Sequence, residues 1–221
     1  YGVVGSGSES LLGAIYGASA RTRGVVTAGQ ALIDPFRPAS ARAAGLAYVP
    51  PDRKVSGGFM HLTAAENITV AHMGDVWRRG RLRLKLEERE AKRWFELLHV
   101  QPLDAVAGQL ATFSGGNQQK IVFGKWLRTA PAVLLLDEPT QGVDVGAKAE
   151  LHRRIIQACG EGLAVLVSSS DVEELATLCD RVLFVVGGRI VGEMAGGGFT
   201  DVEINRMFHQ VQLSEQRGES A

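Results

Sequence analysis

At 221 residues the chain can bury one large core, or a core with a smaller satellite, and two domains are the most to be expected. Its composition, 45% hydrophobic and 22% charged, excludes a disordered chain. The equality of 24 Lys plus Arg with 24 Asp plus Glu argues against a general nucleic-acid binder, which holds phosphate backbones with excess cations. No apolar run approaches the roughly 20 residues of a membrane span, so any service to a membrane is expected from outside it.

In chain order, residues 2–17 read as a glycine-rich loop feeding a helix, with Leu11, Leu12 and Ile15 at helical spacing. The loop follows Tyr1 directly, where a strand would ordinarily stand, which predicts that the chain belongs to a longer polypeptide. Short β pieces are expected at 24–33 and 46–49. From about 63 to 108 the texture is helical, and the charged stretch 77–93, with eight basic and three acidic residues, reads as a loop and an amphipathic helix. A glycine turn after Phe113 opens a helix that Pro131 ends. The apolar run 133–136 reads as a buried strand. A helix over 146–158, a strand over 163–168, a helix over 172–178 and a strand pair around Gly187-Gly188 follow. Alternating strands and helices imply a mainly parallel sheet, hence an α/β fold with a helical insertion. The expected division is a core of residues 1–62 and 112–209 without its N-terminal strands, a helical subdomain 63–111, and a polar tail 210–221 that frays from Gln212. Cys159 and Cys179 have no metal-like spacing and are expected to be buried free thiols.

Four segments carry chemistry. Gly2, Gly5 and Gly7 have the glycine spacing of a P-loop, whose backbone N–H groups wrap phosphates, but Ser8 stands at the lysine position and Glu9 at the Mg²⁺-binding hydroxyl position. A plain glycine turn reads equally well there, and Glu9 is placed to occupy part of the positive field of the following helix start. The run from Val133 ends in Asp137 and Glu138, which puts two carboxylates at the carboxyl edge of a parallel sheet. In a P-loop enzyme the first would hold Mg²⁺ through water and the second would orient the attacking water. Ser114, Gly115 and Gly116 open a helix with a hydroxyl and free N–H donors suited to an anion, beyond what an N-cap alone requires. Asp144 follows the paired acids closely, and the serine run ending at Ser170 closes a strand at the same edge.

In this order the segments resemble an ABC transporter cassette. More narrowly, Tyr48-Val-Pro-Pro-Asp-Arg-Lys54, Phe113-Ser-Gly-Gly-Asn-Gln-Gln-Lys120 and the stretch from Asp137 to Lys148 resemble the second cassette of duplicated monosaccharide-importer ATPases, the ribose, galactose and xylose type, over residues 2–209. The resemblance implies a P-loop NTPase (RecA-like) core, ATP and Mg²⁺ as cofactors, and nucleotide contacts from Gly2, Gly5, Ser6, Gly7, Ser8, Glu9 and Ser10. It implies Mg²⁺ held by Asp137 through water, catalysis at Glu138, Ser170 in place of a switch histidine, and Asp144 as the D-loop acid. Ser114, Gly115, Gly116, Asn117 and Gln118 form the signature, which would complete the site of a partner cassette. Pro51 stands where active cassettes carry glutamine. The implied partners are a second cassette in the same polypeptide, transmembrane permease subunits and, indirectly, a solute-binding protein, with no nucleic acid. The implied place is the cytoplasmic face of the cell membrane, with the 51–72 segment receiving a permease helix and ATPase activity belonging to the assembly. Two other readings are a silent regulatory or structural cassette and a cassette of a soluble ABC protein.

Overall fold

The computed structural model describes residues 1–2 and 6–218. Its helices and strands, in chain order, are α1 (Leu11–Tyr16), β1 (Val26–Ala28), β2 (Ala31–Ile33), α2 (Pro38–Ala43), β3 (Leu46–Val49), α3 (Ala64–Thr69), β4 (Trp77–Arg78), β5 (Arg81–Leu82) and α4 (Leu84–Leu98). There follow α5 (Gly115–Leu127), β6 (Val133–Asp137), α6 (Val145–Gly160), β7 (Ala164–Ser168), α7 (Val172–Leu178), β8 (Arg181–Val186), β9 (Arg189–Ala195) and α8 (Asp201–Gly218).

Strands β3, β6 and β7 form a parallel sheet in that order, with Leu46 opposite Val133 and Asp137 opposite Ser168. Successive side chains of a strand face opposite ways, and β6 uses both faces. Leu134 and Leu136 enter a core with Ile68, Phe95, Phe123 and Leu151, whereas Leu135 joins Leu12, Tyr16, Ile33 and Leu46 on the other side. This burial on both faces is why β6 reads as an unbroken apolar run. The α/β fold with a parallel sheet is therefore as the sequence predicts. A third cluster, Leu175, Val182, Phe184, Ile204 and Phe208, packs α7 and α8 on the β8–β9 hairpin.

Tyr1 continues this arrangement. Its N–H group donates to the Leu183 carbonyl at 2.7 Å and its carbonyl accepts from Val185 N–H at 2.8 Å, the slanted pattern of a parallel ladder on the free side of β8. Between that side and β7 lies a cavity of about 630 Å³ lined by every residue of β7 and by consecutive residues Arg181, Val182 and Leu183. A strand face would contribute alternate residues, so the walls are two strand edges.

Three expectations need correction. Residues 77–82 form an antiparallel hairpin rather than a loop, closed by Arg79 and Gly80 in the left-handed region. Helix α8 runs to Gly218, so the tail expected to fray from Gln212 is helical that far. Thr200 and Glu203 cap each other at its start, and Ile204, Phe208 and Val211 bury its inner face. The thiols are free, but Cys159 is exposed in the last turn of α6 and Cys179 is half-buried. Among the described residues no helix is long and apolar enough to cross a membrane.

Candidate functional site

The carboxyl edge of the parallel sheet gathers the turn at residues 6–10, the acids at the end of β6 and the serines after β7. Gly5 lies outside the described residues. Gly2, Ser6 and Ser8 are buried, while Gly7, Glu9 and Ser10 are exposed. Gly7 takes φ 91°, a conformation suited to glycine, and the chain tightens into one 3₁₀ turn, Ser8–Ser10, before α1. The hydroxyls of Ser6 and Ser8 lie 2.8 Å apart, so the side chain at the lysine position turns inward. The Glu9 carboxylate accepts from Gly7 N–H at 3.0 Å. A donor of the kind that would wrap a phosphate is thus already bonded to an anion of the loop itself. Ser8 brings no charge to this loop, and its hydroxyl is already paired with Ser6.

Asp137 is buried at the end of β6, and its carboxylate accepts from the Tyr48 hydroxyl at 3.0 Å. Burial pushes its pKa up to about 6, with the charges of Glu138 and Glu9 adding to the rise and the Tyr48 and Ser168 hydrogen bonds opposing it. Tyr48 is itself raised well above the usual phenol value by burial and by that carboxylate. Tyr48 belongs to one of the motifs of the sequence but has no role there on sequence grounds. The signal was its place one residue before the end of β3, beside the acid-bearing strand. The acids here are of the kind that suit a divalent cation, with Asp137 nearest the sheet.

Glu138 has φ 46° and a carboxylate held on both oxygens by Ser170, through N–H at 2.7 Å and the hydroxyl at 3.1 Å. Burial raises its pKa, while the Ser170 bonds pull it down. Glu138 and Ser170, distant in sequence, are therefore one unit. Behind them Thr140 donates to the buried Glu174 at 2.9 Å, and His152 of α6 lies 3.0 Å from the same carboxylate.

Next to the loop that follows Glu138, Ser114 caps α5, accepting from Asn117 N–H at 3.4 Å, and is exposed. Gly116 is packed so closely against Asp144 and Ala147 that a Cβ would lie 2.6 Å from Ala147, and Gly115 stands beside the Arg53 guanidinium. Arg53 in turn donates to the carbonyls of Gln141 and Gly142 at 2.8 and 3.3 Å. Asp144 caps α6 through Ala147 N–H at 2.9 Å, so the turn at Ser114–Gly116 and the loop before α6 form one surface. Two predicted signature side chains face elsewhere. Asn117 bonds Gln101 through both its amide atoms, and Gln118 is buried with its amide donating to the Phe113 carbonyl. The exposed hydroxyl and the start of a 13-residue helix fit an anion presented from outside the chain.

Farther off, a groove of about 320 Å³ runs between the π-type turn Arg53–Gly57 and α5, lined by Val55, Phe59, Val70, Ala71, Lys125 and Trp126. Its floor is the buried Lys125, which donates to the Gly57 carbonyl and whose pKa burial lowers to about 8.

The family model described as ABC transporter matches residues 1–141. The "Ribose import ATP-binding protein RbsA" of Roseobacter denitrificans is 39% identical over 202 residues, covering 90% of this chain and 39% of that protein. "Ribose import ATP-binding protein RbsA 1" of Streptomyces coelicolor is 40% identical over 195 residues, with coverage of 88% and 38%. The chain thus spans about two fifths of the length of these curated relatives. Among solved structures, the ATP-binding cassette MJ0796 in a dimeric post-hydrolysis state with ADP and Pi superposes with a TM-score of 0.74 at 20% identity, covering 90% of this chain and 84% of that one. A nucleotide-free ATP-binding cassette from an ABC transporter gives 0.72, with coverage of 92% and 81%.

Proposed function

The chain belongs to the ABC transporter family of ATPase domains, and on that premise we propose that it is the second cassette of a sugar importer, whose signature completes the ATP site of its partner cassette while its own loop contributes little. The observation that carries this reading is the contrast between its two half-sites. Glu9 fills the Gly7 N–H in one, whereas Ser114 is exposed at the start of α5 in the other. Ribose import by the relatives supports a sugar as the solute, and their greater length supports a first cassette in the same polypeptide.

In this reading Ser114 and the N–H groups of Gly115 and Gly116 stabilise charge developing on a γ-phosphate held by the partner, with Asp144 fixing the turn from behind. Asp137 is the residue that would hold Mg²⁺ through water, and Glu138 is the base position, restrained by Ser170. Residues 1–62 and 112–209 form the nucleotide-binding core and residues 63–111 the helical subdomain, with 210–221 as an appended tail. The groove between Val55 and Trp126 receives a permease helix at the cytoplasmic face of the membrane, and a solute-binding protein acts on the far side.

The test is steady-state ATPase activity of the reconstituted transporter. Loss of one donor from a preorganised site costs roughly 10²- to 10³-fold. Ser114→Arg is therefore expected to abolish turnover, while Ser8→Ala costs only a few-fold. Near-normal turnover with Ser114→Arg, or collapse with Ser8→Ala, would reverse the assignment of the two half-sites.

A further inference from the structure

The β4–β5 hairpin concentrates charge that nothing around it balances. Arg78, Arg79, Arg81, Arg83 and Lys85 are all exposed, and among the described residues none of their side chains makes a hydrogen bond or ion pair. The acids nearest in sequence are committed elsewhere. Asp75 accepts from Arg128 at 3.1 Å, and Glu90 lies 3.4 Å from the same guanidinium. Glu87 is buried against the Thr69 hydroxyl at 2.6 Å, and Glu88 accepts from Lys92 at 2.7 Å. In a chain of zero net charge, this segregation leaves one strongly cationic projection.

Two apolar side chains flank the cations: Trp77 is 51% exposed and Leu84 is 67% exposed. Packing does not account for the hairpin, because two paired residues per strand bury almost nothing and such a ribbon is marginal alone. The turn even places Arg79 at φ 52°, beside Gly80 at φ 77°, in a two-residue loop where Asn-Gly is usual. The base is anchored, however. Arg83 N–H donates to the Val76 carbonyl at 2.8 Å, Trp77 N–H donates to the Met73 carbonyl at 2.8 Å, and Val76 is buried. The projection therefore stands at a fixed place, only a few residues after Val70 and Ala71 of the groove.

Cations around an exposed indole and a leucine suit a surface that is anionic outside and apolar beneath. We propose that this hairpin is a membrane-contact element that binds anionic lipid headgroups, with Trp77 and Leu84 entering the interface and the arginines meeting phosphates. A bilayer is favoured over nucleic acid because the chain has no wider excess of cations and because the flanking residues are apolar. The inference rests on the transporter reading only for the nearness of a bilayer. Its test uses neither permease nor nucleotide, so either idea can fail alone.

The experiment is co-sedimentation of the full polypeptide with phosphatidylcholine vesicles, with or without about 30 mol% phosphatidylglycerol. Binding is expected only with the anionic lipid and should fall steeply between about 0.1 M and about 1 M salt. Each cation near such a surface is worth about five-fold in affinity, so Arg78→Ala, Arg81→Ala and Arg83→Ala combined should weaken binding by on the order of 10²-fold. Arg79 is left alone so that the two-residue turn keeps its own residue. The corresponding triple Arg→Lys variant should bind as the parent does, and Trp77→Ser should lose several-fold more at high salt than at low. Equal binding to both vesicle types, or no loss in the alanine variant, overturns the proposal. So does equal loss in the lysine variant, or duplex DNA binding as tightly as the vesicles through the same arginines.

Discussion

Glu138 occupies a left-handed backbone conformation that costs a non-glycine residue about 1–3 kcal/mol, and it persists because Ser170 holds the side chain at both oxygens. Glutamine at this position can keep both contacts, its oxygen accepting from Ser170 N–H and its amide donating to the hydroxyl. Glu138→Gln thus changes the chemistry without disturbing the loop. Turnover of the assembly is expected to change far less than with the same substitution in the partner cassette, and equal losses would show that this site hydrolyses. Lys125 yields a different expectation. Its folded pKa of about 8 lies below that of an exposed lysine because burial penalises the charge. The unfolded chain therefore binds more protons between pH 8 and about 10.5, so this group makes stability rise with pH across that window, by on the order of 3 kcal/mol. Urea titrations at several pH values should show the rise, and Lys125→Met should flatten it.

Helix α5 is oriented as much by Asn117 as by its cap, because the Asn117 amide bridges to the backbone of Gln101 beyond the end of α4. Two partly exposed hydrogen bonds are worth about 1–2 kcal/mol. Asn117→Ala should then lower the melting temperature by about 2–8 °C, given the roughly 2–4 °C per kcal/mol usual at this size. An unchanged melting point with lowered activity would instead give Asn117 a direct role at the nucleotide. At this scale the sequence was most legible where a single pattern dominated. The apolar run of β6, the helix α7 and the serine-capped α5 follow from burial and capping alone. The β4–β5 hairpin did not, because its arginines hide any alternation and its turn sets Arg79 where asparagine is usual. The site was legible in its parts but not in its couplings. Glu9 could be placed near the helix start from its position, whereas the Tyr48–Asp137 and Glu138–Ser170 contacts join residues that only strand order brings together.

For the molecule as a whole, strand β7 is the edge most open to another extended segment. Its outer edge lines the cavity that faces β8, and Leu166 on it is 40% exposed. An uncovered edge with apolar side chains offers its free N–H and C=O groups to any extended segment, and the most abundant segments in a concentrated sample are those of identical molecules. These 221 residues handled by themselves should therefore associate in a concentration-dependent way, seen as scattering that grows on concentrating and reverses only partly on dilution. Leu166→Lys places a charge on that edge and should suppress the effect while leaving the fold intact. A preparation that stays monodisperse at every concentration would mean the edge is already shielded. If it is not, the same strand that carries Ser168 to the site is also where self-association of the isolated chain is expected to start.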